Sequence, residues 1–89
     1  MTTRERNIIR ALLDVLHDAD GHQYSDTQLH QALNVRLVHC THVPATLTEY
    51  AAAVGVADGR GWLTGIVSTT SGLRKWSIND QGQAARADL

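Results

Sequence analysis

Five histidines, one cysteine and eight arginines or lysines are the side chains with which this 89-residue chain could do chemistry. The densest group is His39-Cys40-Thr41-His42, whose nitrogen and sulfur donors suit a soft metal ion. A structural zinc site takes four ligands in recognised pairs, and only one cysteine is present. In an extended segment, neighbours such as His39 and Cys40 also point to opposite faces. The segment therefore predicts no metal site, with Cys40 a small buried hydrophobe and His17, His22, His30, His39 and His42 surface residues. Serines, histidines and aspartates are all present. No nucleophile-bearing turn, glycine-rich phosphate loop or paired carboxylates stand out, so a non-enzyme without a cofactor is expected.

What remains is phosphate chemistry. Arg74 and Lys75 are adjacent, Arg60 precedes them, and Arg4 and Arg6 stand near the start. Net charge is −1 with the histidines neutral, so no global basic field advertises nucleic acid and any such role depends on where the cations sit. The length fits one domain over residues 1–89, large enough to fold without staples. A lone cysteine forms no internal disulfide, and no signal peptide or membrane span is visible, which makes the cytoplasm the expected location.

The elements that would position these cations are legible from periodicity. Residues 2–20 read as a helix: Ile8, Ile9, Leu12, Leu13, Val15 and Leu16 form an apolar stripe, Thr2 and Glu5 fit a capping box, and Gly21 is a suitable stop. Arg4, Arg6 and Arg10 lie toward its start and Asp14, Asp18 and Asp20 toward its end, against the helix dipole. This is either an unoptimised solvated face or an arrangement keeping the arginines for a phosphate. The stripe is wide enough that Ile8 and Val15 could stay outside the core and support a homodimer. A second helix starts at Ser25, with Ser25 and Gln28 as capping box and Tyr24 and Leu29 as hydrophobic staple, and buries Leu29, Ala32 and Leu33. A short strand is expected near Leu37 to Cys40. A third helix runs from Pro44, tolerated only in a first turn, to between Val54 and Asp58. Its expected buried stripe is Leu47, Tyr50, Ala51 and Val54, with Thr46, Thr48, Glu49, Ala52 and Ala53 on or beside the outer face.

The stretch Gly61 to Asp80 organises the rest. Trp62 to Val67 and Arg74 to Ile78 are β-type runs joined by a small, polar, glycine-terminated turn, which reads as a hairpin. Trp76 and Ile78 share one face and Lys75 and Ser77 the other. A hairpin alone is marginal in water, so its apolar face must pack on the helices. Asn79 can cap a helix over Gln81 to Ala87, ahead of a frayed tail from Arg86 to Leu89.

In this order of elements, GWLTG followed by a turn and RKWSINDQG resembles the second strand, wing and third strand of small winged-helix DNA-binding proteins of the PadR and MarR types. The resemblance covers roughly residues 25–85 in element order and 61–82 in residues, with Asn79 where such proteins usually have Thr. It implies an α+β, mainly helical winged helix-turn-helix: a three-helix core plus a C-terminal β-hairpin wing. The third helix would enter a major groove and Thr69 to Lys75 would lie along the DNA backbone. His42, Thr46, Thr48, Arg60, Thr69, Thr70, Arg74 and Lys75 are then the candidate contacts to double-stranded DNA. The third helix departs from the pattern, because it offers threonines, a glutamate and alanines where base-reading helices carry Arg, Lys, Asn or Gln. Phosphate contact by the wing is better supported than base reading. Two functions follow, a DNA-binding regulator or accessory protein, and a winged-helix module that binds protein with its DNA surface lost.

Overall fold

The computed structural model of the chain describes residues 2–19, 23–41, 43–67 and 72–89. Helix α1 (Thr3–Asp18) starts where its cap signal lies: the Thr2 hydroxyl accepts the Glu5 N–H at 3.1 Å. The helix closes at Ala19, and Gly21 lies outside the described residues. Its entire apolar stripe is consumed by the fold. Ile8 and Val15 are only 2% and 7% exposed, because α2, α3 and α4 all pack against α1. The expectation of a spare apolar strip on this helix for a homodimer is thereby corrected.

Helix α2 (Asp26–Thr41) begins with the expected capping box, Ser25 N–H to Gln28 Oε1 at 3.3 Å and Gln28 N–H to Ser25 Oγ at 3.4 Å. Its far end differs from expectation. Residues 37–40 are helical, since Leu29, Leu33 and Leu37 continue one four-residue repeat into the core. Arg36 ties that turn to α1, reaching Asp14 at 3.8 Å and Asp18 at 2.7 Å. Val38, inside the expected strand, and Val35 before it lie on the outer side of the helix at 44% and 63% exposure. The third strand comes from the other end of the helix: β1 (Tyr24–Ser25) pairs with the hairpin before the chain turns into α2.

Helix α3 (Leu47–Gly59) is capped by Thr46, not begun by Pro44. The Thr46 hydroxyl accepts the Glu49 N–H and Glu49 accepts the Thr46 N–H, both at 3.1 Å, and this reciprocal pair outcompetes the proline as a start. The buried stripe is also rotated from the expected one. Tyr50, Ala53, Val54 and Ala57 face inward while Leu47 is 70% exposed and Ala51 is exposed. The small side chains at 53 and 57 let α3 approach the core closely, and that contact sets the phase.

Strands β2 (Leu63–Val67) and β3 (Arg74–Ile78) form the hairpin, and the sheet order is β1-β3-β2, all antiparallel. Trp76 sits opposite Gly65 and Tyr24 and is 4% exposed. Gly65 is required there, since a Cβ would stand 2.8 Å from the Trp76 ring. Helix α4 (Asp80–Asp88) is capped by Asn79, which accepts the Gly82 N–H at 2.8 Å. The tail is not frayed. Arg86 is ion-paired with Asp14 of α1, and Leu89 packs against the core while its carbonyl accepts from Arg10 at 3.4 Å. The whole is the mainly helical α+β arrangement of a winged helix-turn-helix, with α3 and the β2-β3 hairpin side by side.

Candidate nucleic-acid interface

In a winged helix the surface that can meet a duplex is the exposed side of α3 together with the hairpin. What holds α3 there is a set of contacts to its first turn. His30 of α2 stacks on Tyr50 with ring centroids 4.9 Å apart, and its Nε2, carrying the proton, donates to the Ala45 carbonyl at 2.9 Å. Asn34 accepts the Ala45 N–H at 2.8 Å. His30 is therefore a structural contact and not the surface residue expected of it. From the opposite side Arg4 of α1 grips both Glu49 oxygens at 3.0 and 3.2 Å and the carbonyls of Val43 and Pro44 at 3.2 and 3.0 Å. Arg4 thus serves the fold and is withdrawn from phosphate contact. Its guanidinium, followed by the Thr46 N–H, lowers the Glu49 carboxyl to about 2.

Asp26 fixes α3 to the sheet. Its Oδ1 accepts from the Tyr50 hydroxyl and from the Trp76 indole N–H, each at 2.8 Å. Burial, reinforced by that carboxylate, pushes the Tyr50 phenol far above its usual range. The only sequence signal for Asp26 was its place in the first turn of α2. That placement explains a dipole-stabilising acid but not a bond to a residue fifty positions on.

The cations expected to touch DNA do not converge on one strip. Arg74 shares the α3-facing side of β3 with Trp76, its guanidinium carbon 5.2 Å from the ring centroid, and borders the cleft that Leu47, Ala51 and Asp58 of α3 line. Lys75 is exposed on the opposite face of the strand. Arg60 ends α3, lies 5.3 Å from the Trp62 ring and borders a different cleft with Gln81 and Asp88 of α4. Thr48 is exposed, and Thr46 is exposed with its hydroxyl committed to the cap. His42, Thr69 and Thr70 lie outside the described residues, as do Ser68 and Ser71 of the turn. Among the described residues Arg74, Lys75, Arg60 and Arg6 make no ion pair, whereas Arg4, Arg36 and Arg86 are paired. The exposed side of α3 itself carries no cation, and Leu47 dominates its first turn.

Among the described residues no group of three or more His, Cys, Asp and Glu side chains is placed to hold a metal ion, with the Cys40 side chain outside them. No helix there is long and apolar enough to cross a membrane.

No protein-family description matches the sequence. No curated protein matches it either. A solved structure does: a protein of Thermoplasma acidophilum provisionally assigned as a transcriptional regulator superposes with a TM-score of 0.66 at 16% identity, over 99% of this chain and 81% of that one. Similarity at this identity concerns the fold alone.

Proposed function

We propose that residues 1–89 act as one non-catalytic winged-helix domain that binds double-stranded DNA, as a transcriptional regulator or accessory protein in the cytoplasm, chiefly through phosphate contacts of its wing. The observation that carries this reading is Arg74. Its guanidinium, free of any ion pair among the described residues, is held against Trp76 where the wing meets α3. Lys75 adds a second cation on the other face of the same strand, and Thr48 is the exposed polar group on α3 that can approach base edges. With so few cations, binding is weak, salt-sensitive and largely indifferent to sequence. A titration of fluorescent duplex at low salt tests it, with saturation expected below ~0.1 mM protein, the upper end for non-specific binders.

A second reading has its own observation. The α3 surface is uncharged apart from Glu49 and Asp58 and exposes Leu47 to 70%, which suits a protein partner better than a polyanion. Absence of duplex binding in that titration selects this module in place of the DNA-binding domain.

A further inference from the structure

In the sheet order β1-β3-β2, strand β2 has, among the described residues, a neighbour on one side only. Natural edge strands are blunted by charges, proline or bulges that prevent pairing with another chain. Leu63-Thr64-Gly65-Ile66-Val67 has none of these: no position is charged, no proline interrupts it, and its register with β3 runs unbroken over five residue pairs. Four of its residues are exposed, Ile66 to 47% and Val67 to 53%. Outside the hairpin, no backbone hydrogen bond among the described residues involves Thr64 to Val67.

We infer that β2 is a self-association edge, pairing antiparallel with β2 of a second copy of this chain to continue the sheet across a two-fold axis. The occupant follows from charge and symmetry. A two-fold interface brings a patch against itself, so it is tolerated only where like charges do not meet, and this strand is neutral throughout. Pairing centred on Gly65 sets Thr64 against the partner's Ile66 on one face. On the other it sets Leu63 against the partner's Val67, so both exposed aliphatic side chains gain a cross-strand neighbour. A lysine-rich or DNA-like surface is not required, which separates this edge from the Arg74 side of the wing. Two five-residue strands make an interface at or below the low end of specific ones, so association belongs in the ~0.1 mM range rather than the nanomolar.

The test is sedimentation velocity on the full chain from ~10 μM to ~1 mM, with amide chemical shifts followed over the same series. The expected result is a rise in average mass toward twice that of the chain, with shifts concentrated at Thr64 to Val67. Ile66→Glu supplies the control. Ile66 stands opposite Lys75, so a glutamate there gains a cross-strand ion pair and the hairpin is kept, while across the dimer axis each carboxylate replaces an aliphatic contact with the partner's Thr64 and lies diagonal to the other carboxylate on the same face. Dimerisation should weaken about fivefold or more with no fall in melting temperature. A chain that stays monomeric at 1 mM overturns the inference. So does a dimer that Ile66→Glu leaves unchanged, or one whose shifts map to α1 or α4.

Discussion

The indole N–H of Trp76 donates to Asp26 Oδ1 at 2.8 Å, joining the middle of the wing to the first residue of α2. The Tyr50 hydroxyl uses the same oxygen, so one carboxylate satisfies two donors whose side chains are each 4% exposed. Removing it strands both in the core. Asp26→Ala should cost about 2–3 kcal/mol, read as a lower urea midpoint at unchanged m-value. Trp76→Phe keeps an aromatic ring but loses the indole N–H and some packed atoms, for at least about 1–2 kcal/mol. Trp76→Ala should cost about 3–5 kcal/mol. Equal stability of Trp76→Phe and wild type would show that neither the indole bond nor the extra ring atoms contribute to stability.

Stability should carry an acid-linked component from α3. Glu49 titrates at about 2 in the folded chain against an ordinary 4.5, held down by Arg4 first and then by the Thr46 N–H. A folded value below the unfolded one favours folding above about pH 4.5, and that contribution fades as pH falls toward about 2. Asp18, lowered by Arg36, adds in the same direction. Urea midpoints measured from pH 7 to 2 should converge for wild type and Glu49→Gln at the acid end. Curves that stay parallel would remove the Arg4–Glu49 pair from the account.

Gly82 brings α4 against the hairpin. A Cβ at this position would lie 2.2 Å from the Trp62 carbonyl oxygen, a backbone atom that cannot rotate away. Gly82→Ala should therefore displace α4 and destabilise by about 2–3 kcal/mol despite improving helix propensity. Calorimetry decides it, and an unchanged or higher melting temperature would mean that α4 docks more loosely than described.

On duplex DNA, Arg74→Ala and Lys75→Ala should each flatten the dependence of log affinity on log salt by about one unit, without changing preference among sequences. Thr48→Ala should instead alter preference with little effect on the salt slope. Loss of affinity on Lys75→Ala alone would place the backbone on the far face of β3, away from α3.

Where local signals are self-contained, the sequence determined the outcome by itself. The Ser25–Gln28 and Asn79 caps, the α1 stripe and the alternation around Trp76 each depend on residues within a turn or two of one another. Those signals sit inside one short window, so they can be read without knowing any distant contact. Tertiary structure decided what lay between two plausible local readings. Residues 37–40 are helical because Leu37 reaches the core and Arg36 reaches Asp14 and Asp18, neither of which a local window contains. The phase of α3 was equally hidden. Leu47 and Ala51 fit an apolar stripe as well as Ala53 and Ala57 do, and only docking through the smaller pair, with Tyr50 drawn to Asp26, settles which faces inward. The candidate site was legible as a set of cations but not as a surface. Charge can be counted along a chain, whereas the engagement of Arg4 by Glu49 and the separation of Arg74 from Arg60 depend on packing between segments far apart in sequence.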